Sequence, residues 1–302
     1  TLKLNLVRCV LRAQKVSFGV QVRHSSGKLK ELGIRLKAIK NIQKITKTMK
    51  MISAAKFAQA SKAIIPARAY GVGALAVYDK AKIESEARPK QVYIGVSSDR
   101  GLCGALHSNI GRALKSKFEE QPDNVETKVV TVGDKVKVFL QSGLSDSLLL
   151  ECKELGRLPP SFNDSAVIAE DLLESGYEFQ QGEVFYNWFK SAMTQIIKQQ
   201  PFFSVEVINQ SPTITVYDSL DEDVLKSYQE FQLANTLYYT MKENYTSEQG
   251  ARMISMDGAT KNAVFSSSQV IMINRMSLLY NGTRQAVKTT ELTEIISGVA
   301  AL

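Results

Sequence analysis

Residues 97–104, with the sequence SSDRGLCG, are the first place in this 302-residue chain to look for phosphate chemistry. They follow a predicted strand at 92–96 and precede a predicted helix at 104–118. A phosphate-binding loop takes that position in nucleotide-binding folds. The loop matches neither G-x-G-x-x-G nor G-x-x-x-x-G-K-[ST], however. We therefore favour a tight turn that caps the helix over a nucleotide site.

A thiol–imidazole pair is a second possibility, because Cys103 and His107 are four residues apart and would share one face of a helix. No third type of ligand lies close to them in the sequence. Three cysteines and two histidines in the whole chain exclude a zinc module and a disulfide scaffold. We expect no catalytic residue, no metal site and no bound cofactor.

The net charge of +8 is distributed unevenly along the chain. Residues 28–90 carry fifteen Lys/Arg against four acidic residues, whereas residues 91–302 carry eighteen against twenty-six. A basic region of this kind can bind nucleic acid, a membrane surface or an acidic protein. In residues 28–56 the lysines coincide with the apolar stripe and aromatic residues are missing, so an acidic protein partner fits better than DNA or single-stranded nucleic acid.

Residues 1–27 contain five Lys/Arg and no acidic residue, with Leu, Val and Phe between the charges. This amphipathic pattern is typical of a mitochondrial transit peptide, and the interrupting charges argue against a secretory signal. A disordered basic tail is the alternative. No stretch of the chain approaches the roughly 18–20 uncharged apolar residues that a membrane-spanning helix requires.

Long helices are predicted at both ends of the chain. From Leu29 the apolar residues recur every three or four positions, and the steps of three that join Ile39, Ile42 and Ile45 indicate local overwinding. We expect this stripe to pack on one long partner, with a kink or break at Pro66. A second helical pattern runs without proline from about residue 221 to 298, about 117 Å if continuous, and indicates a coiled coil.

Between these helices the pattern alternates between strand and helix. Strands are predicted at 92–96, 129–132, 148–150, 184–189, 203–208 and 213–217, and helices at 104–118, 134–141 and 165–175. Such alternation indicates an α/β sheet domain. The predicted fold class is therefore α/β, with a long antiparallel coiled coil of the N- and C-terminal helices and an inserted Rossmann-like α/β domain.

Four stretches of the sequence resemble, in the same order, motifs of the gamma subunits of F-type ATP synthases. They are residues 42–51 (IQKITKTMKM), 98–104 (SDRGLCG), 251–263 (ARMISMDGATKNA) and 284–298, which contains RQA, EL and IISG. The resemblance extends from about Lys28 to Leu302. The GALH sequence at 104–107 is similar to the mitochondrial branch, in agreement with a transit segment.

The resemblance implies a rotor subunit, the central stalk, which couples proton-driven rotation to ATP synthesis on the beta subunits and is not itself catalytic. Its partners would be the alpha and beta subunits of the catalytic hexamer, the small central-stalk subunits and the membrane rotor ring. Neither nucleic acid binding nor direct insertion into the membrane is implied. The implied location is the matrix side of the mitochondrial inner membrane, and the apolar C-terminus would enter a sleeve at the top of the hexamer.

The resemblance also implies domain boundaries and contacts with the beta subunits. The domains would be the transit peptide 1–27, an N-terminal coiled-coil helix 28–90, an α/β foot domain 91–219 and a C-terminal coiled-coil helix 220–302. The contact residues would be Met49, Arg100, Gly101, Cys103, Arg284, Gln285, Thr289 and Glu291. The first belongs to the neck of the stalk, the next three to a loop near the lower beta surface, and the last four to a catch site.

One departure from the family pattern and one rival hypothesis remain. Gly33, Gly250, Gly258 and Gly282 lie within predicted helices and lower their helix propensity, which predicts a rod more flexible than is typical of the family. The rival hypothesis is an α/β nucleotide-dependent enzyme with a coiled-coil dimerisation arm, which would bind its ligand at residues 99–104.

Overall fold

The computed structural model describes residues 2–81, 83, 88–122, 124–141, 143–211, 221–264 and 272–301, with the side chains of 2–28, 79, 81, 222, 264 and 272–275 left aside. The chain divides into two compact units. Residues 1–49 with 256–302 form the helical unit, and residues 50–255 form the sheet unit. Helix α1 (Leu2–Ala81) contributes to both.

The helical unit is an antiparallel pairing of α1 with helices from the C-terminal end of the chain. Thr46 Oγ1 lies 2.8 Å from Thr260 Oγ1, and a Cβ on Gly33 would lie 3.3 Å from the Tyr280 ring. The partner residue number rises as the α1 number falls, so the helices run in opposite directions. This arrangement agrees with the predicted antiparallel pairing.

The face of α1 that packs in the helical unit follows the predicted apolar stripe as far as Ile39 and departs from it at Ile42 and Ile45. Leu36, Ile39, Gln43 and Thr46 are the half-buried or buried series, at steps of three, four and three. Ile42 and Ile45 are instead 51% and 57% exposed. The expectation of local overwinding was wrong, because regular helix packing keeps a seven-residue repeat and that repeat passes through Gln43 and Thr46.

In the sheet unit the buried face of α1 follows the same repeat. Its buried residues are Ser53, Ala60, Ile64, Ala67, Gly71, Ala74 and Tyr78. The small members allow close approach of a second helix, since a Cβ on Gly71 would lie 2.6 Å from the Tyr239 ring. The helix is not broken at Pro66, which is exposed between buried Ile64 and Ala67.

A five-stranded mixed sheet is the centre of the sheet unit, with the order β3-β2-β1-β4-β5. The first four strands in this order are parallel, and β5 runs antiparallel to β4. The strands are β1 (Lys90–Val96), β2 (Glu126–Val132), β3 (Leu148–Cys152), β4 (Gln181–Phe189) and β5 (Gln195–Phe203). The order reverses between β1 and β4, as it does at the ligand crevice of doubly wound folds.

Helices connect or flank these strands. They are α2 (Leu106–Glu119), α3 (Asp134–Leu140), α4 (Phe162–Glu174), α5 (Val205–Asn209) and the part of α6 (Glu222–Val264) that precedes residue 256, whereas α7 (Met272–Val299) belongs to the helical unit. Helix α4 begins with a capping box, in which Ser161 and Asp164 each accept from the other's backbone N–H. The predicted α/β class is confirmed.

Two of the predicted strands need comment. The prediction of a strand at 203–208 was wrong, because β5 ends at Phe203 and residues 205–209 form α5. Val207 and Ile208 are apolar because this short helix buries them, not because they lie in the sheet. The strand predicted at 213–217 lies outside the described residues, as do residues 265–271 between α6 and α7.

Hydrophobic cores cover both faces of the sheet. On one face, α2 and α3 pack Ile110, Leu114 and Val136 against Tyr93 and Phe185. On the other, α4 and α6 pack on the sheet, with Tyr78 of α1 joining them. The edge formed by the carboxyl ends of the parallel strands therefore lies between two helical layers, and residues 97–104 lie at this edge.

Candidate functional site

The loop of residues 97–104 directs its backbone hydrogen bonds into the protein. The Ser97 amide donates to Val132 O at 2.7 Å, and the Asp99 amide donates to Leu155 O at 3.1 Å. The Arg100 amide donates to Ser98 Oγ at 3.2 Å. A phosphate cradle needs such amides to point at the ligand. Here these three amides already hold the loop to its neighbours.

Two glycines press against the same loop. Gly133 and Gly156 have φ of 93° and 91°, in the region that favours glycine. A Cβ on Gly133 would lie 2.6 Å from the Ser98 backbone, and one on Gly156 would lie 2.7 Å from Ser98 Cβ. Neighbouring loops therefore fill the space beside Ser98, where a bound phosphate group would need room.

Asp99 is a helix cap. Its Oδ1 accepts from the Asp134 backbone N–H at 2.9 Å, at the first residue of α3. A carboxylate at a helix N-terminus is favourable because that end carries partial positive charge. The prediction that the loop caps the following helix was wrong, because α2 has Ala105 at its N-cap with no side-chain cap hydrogen bond, and Asp99 caps α3 instead.

A buried ion pair on α6 anchors this loop. Arg252 donates to Gly101 O at 3.1 Å and to Arg100 O at 3.5 Å, and it pairs with Glu248. The Arg252 and Glu248 side chains are 5% and 1% exposed. Two of the sequence motifs, 98–104 and 251–263, therefore meet through Arg252. Arg252 was not among the predicted site residues, and its only signal in the sequence was that both stretches belong to the same set of motifs.

The anchored loop presents some residues to the outside and buries others. Arg100 is exposed, and Leu102 is 59% exposed with φ of 66°, an unusual backbone conformation for leucine. Cys103 is buried against Leu106 and Ala251. Burial, with a smaller effect of Glu248, raises the pKa of the Cys103 thiol to about 11. A partner that approached this loop would meet Arg100 and Leu102 before the thiol.

His107 completes this cluster without forming a thiol–imidazole pair in the hydrogen bonds of the described residues. Its Nε2 lies 3.0 Å from Arg100 O and therefore donates to it. Its Nδ1 is buried without a hydrogen-bond partner. Burial lowers the pKa of His107, so the imidazole is neutral near pH 7. His107 supports the loop rather than acting as a base on Cys103.

A cavity of about 340 Å³ lies at the carboxyl end of β1. It is bordered by the loops after β1 and β3 and by α6 residues, among them Asn244 and Glu248. Asn244 Oδ1 accepts from Asn187 Nδ2 at 2.9 Å, and Glu248 pairs with Arg252. These two buried polar groups are therefore committed to partners within the chain, which weakens the rival hypothesis of a nucleotide enzyme.

The remaining predicted contact residues lie in the helical unit. Arg284, Gln285, Thr289 and Glu291 are all exposed on α7, where Val287 is the buried residue. Thr289 Oγ1 donates to Gln285 O at 2.8 Å, one turn earlier. The Arg284 guanidinium forms no ion pair within the described part of the chain. Met49, on α1, is half-buried.

Neither a metal site nor a membrane span is found in the described residues. They contain no group of three or more His, Cys, Asp or Glu side chains that could hold a metal ion. Over the same residues, no helix combines the length and apolar character needed to cross a bilayer.

Comparison with known sequences gives matches over most of the chain. The profile of the family described as ATP synthase matches residues 28–302. The chain is 49% identical over 276 residues to "ATP synthase F(1) complex subunit gamma, mitochondrial" of Rattus norvegicus, covering 91% of this chain and 99% of that protein. It is 45% identical over 292 residues to "ATP synthase subunit gamma, mitochondrial" of Drosophila melanogaster, covering 96% of each.

Solved structures give a corresponding result. A chain of the Euglena gracilis mitochondrial ATP synthase superposes with a TM-score of 0.73 at 20% identity, over 91% of this chain and 95% of that chain. A chain from the central stalk and c-ring of the Tetrahymena thermophila mitochondrial ATP synthase gives a TM-score of 0.61 at 25% identity. That match covers 72% of this chain and all of the other.

Proposed function

This chain belongs to the family of ATP synthase gamma subunits, and from that premise we propose which partners each of its two units binds. It is the rotor subunit that couples proton-driven rotation to ATP synthesis, and the catalytic sites lie on the beta subunits. Its partners are the alpha and beta subunits of the hexamer, the small stalk subunits and the rotor ring. We infer that the helical unit enters the hexamer and that the sheet unit binds the other two.

The observation that carries this proposal is the exposed apolar end of α7. Leu292, Ile295, Ile296 and Val299 are 58–68% exposed. An apolar surface of this kind is normally covered in the functional state. The 28 residues of α7 correspond to a helix about 42 Å long, and these four residues lie in its last two turns. A sleeve of apolar residues in the hexamer would cover this end without fixing one angle of rotation.

Polar residues just before this end form the proposed catch site. Arg284 and Gln285, with Thr289 and Glu291 about one turn on, extend from α7. A guanidinium offers a planar fork to a carboxylate, and a glutamine offers both a donor and an acceptor. Hydrogen bonds of this kind to one beta subunit at a time would have to break and re-form three times in each turn.

Two further contacts and the location complete the proposal. Met49 lies in the neck, and the loop around Arg100, Gly101 and Cys103 lies near the lower surface of the beta subunits, with Leu102 as an additional exposed member. Residues 1–27 act as a transit peptide, and the mature chain is a peripheral protein on the matrix side of the inner membrane. The basic region 28–90 supports an approach to acidic loops of the beta subunits.

The experiment is to rebuild the complex of alpha, beta and this chain with Arg284→Ala or Gln285→Ala, and to measure assembly and ATP hydrolysis separately. Alanine preserves the helix, so assembly should remain normal. We expect turnover to fall at least tenfold for Arg284→Ala. Lys288→Ala is the matched control, because Lys288 is an exposed cation on the same helix. Normal turnover of both variants in fully assembled complexes would refute the catch site.

A further inference from the structure

Helices α4 and α6 leave an apolar groove between them on the surface of the sheet unit. Its volume is about 470 Å³. Alanines are the reason for the space, because Ala166 and Ala169 of α4 face Ala234 of α6 with side chains too short to fill it. Phe162 and Phe231 border the groove and are 43% and 57% exposed. We call this surface the α4–α6 groove.

The border of the α4–α6 groove is acidic. Glu170 and Glu174 extend from α4, and Glu230 extends from α6. All three are exposed, and within the described part of the chain none of them forms an ion pair. By contrast, Glu151, elsewhere on the sheet unit, pairs with Lys137 at 2.6 Å. Three unpaired carboxylates beside exposed aromatic rings leave both a charge and an apolar surface without a partner.

We propose that the α4–α6 groove binds a lysine- or arginine-rich amphipathic helix of another subunit of the complex. An aliphatic or aromatic side chain of that helix would lie over the alanine floor between Phe162 and Phe231, as anchors do in helix-in-groove recognition. Basic residues one turn away would reach Glu170, Glu174 and Glu230. The acidic border disfavours an anionic membrane surface and an acidic protein alike.

This inference rests on the proposed function, because the partner is sought within the assembled ATP synthase. The two can nevertheless fail separately. ATP hydrolysis by the complex of alpha, beta and this chain tests the helical unit and does not require the α4–α6 groove to be occupied. The experiments therefore distinguish a complex with an occupied groove and a defective catch site from a complex with a working catch site and an empty groove.

The first test places the photo-crosslinker p-benzoylphenylalanine at Phe231 in the fully assembled enzyme and identifies the linked peptide by mass spectrometry. We expect a peptide of another subunit with net positive charge and apolar residues at helical spacing. The matched control carries the same group at Val138, which is 63% exposed on α3. A link to a second copy of this chain, to lipid or to an acidic peptide, or no link at Phe231 in fully active enzyme, would overturn the proposal.

The second test does not depend on the cross-linker. The subcomplex of alpha, beta and this chain is titrated with a labelled synthetic helix built from leucine and lysine, and binding is followed by fluorescence anisotropy. Replacing all three border glutamates with glutamine should weaken binding about tenfold and reduce its dependence on salt. A helix in which glutamate replaces lysine is the control. Equal binding of both helices, or no effect of the triple variant, would refute the charge-based recognition.

Discussion

Removal of the Arg252 side chain is the perturbation that most directly tests how the loop 97–104 is held. Arg252→Met keeps a side chain of similar length but leaves the buried Glu248 carboxylate without its partner. Breaking a buried pair in this way costs about 3–5 kcal/mol. The lost hydrogen bond to Gly101 O adds about 1 kcal/mol, so the expected destabilisation is about 4–6 kcal/mol. That is a large fraction of the stability of an ordinary domain.

A second variant separates the charge from the loop. In Glu248→Gln with Arg252→Met no unpaired charge is buried, so most of the lost stability should return. The contact with Gly101 O is still missing, however, and the loop should stay loose. Chemical denaturation of the purified chain measures the first effect, and the rate of alkylation of Cys103 measures the second.

Cys103 reports on the loop because it is 1% exposed and its pKa is raised to about 11. We expect slow alkylation in the native chain, and rates at least tenfold higher in both variants. Cys152 is the internal control, since this half-buried thiol lies on β3 and does not touch Arg252 in the described structure. Unchanged stability of Arg252→Met, or unchanged protection of Cys103 in the double variant, would show that the ion pair does not anchor the loop.

Three further predictions concern other parts of the chain. Met49→Lys should lower the ATP made per proton without loss of assembly. The reason is that a new charge beside acidic loops favours one rotation angle by about 1–3 kcal/mol. Thr48→Lys is the control, because Thr48 is exposed and one residue away, and it should have a smaller effect. The pKa of His107 is lowered in the folded chain, so below about pH 6.5 the unfolded chain binds more protons than the folded chain. The free energy of unfolding therefore falls as the pH falls, by up to about 1.4 kcal/mol per pH unit. Denaturation midpoints across this range should be flatter for His107→Gln, and an equal slope would contradict the assignment. Gly282→Ala should raise the melting temperature, since its Cβ meets nothing within 4 Å and alanine favours the helix by about 1 kcal/mol, whereas Gly71→Ala should lower it through contact with Tyr239.

The sequence by itself determined the class of fold and the ends of several elements. Apolar runs followed by helical patterns placed β1, β2, α2 and α3 correctly within a few residues. The helix predicted at 165–175 corresponds to α4, although its start was placed three residues late because the capping box of Ser161 and Asp164 was not predicted. The ordered motifs from residue 42 to 298 were likewise sufficient to identify the family.

The strand that follows β4 shows where the local sequence pattern is insufficient. Strand β5 has the sequence QIIKQQPFF and lies at the edge of the sheet. An edge strand needs neither a continuous apolar run nor a backbone donor at every residue, so it can contain glutamines and Pro201. These residues interrupt the apolar pattern from which a strand is predicted. The more apolar segment that follows forms α5 instead. Its burial, not its strand propensity, explains its composition.

Only the tertiary structure decided which residues meet across long distances in the sequence. Arg252 reaches Gly101 across 151 positions, and Thr46 reaches Thr260 across 214. The face of α1 that packs was also decided there, since Gln43 and Thr46 lie inward while Ile42 and Ile45 are exposed. A position can be apolar because the chain itself buries the side chain or because a partner covers it in the assembled complex. The seven-residue repeat of two packed helices depends on helix geometry alone. Around residues 42–46 of α1, hydrophobicity and the packing repeat therefore select different residues.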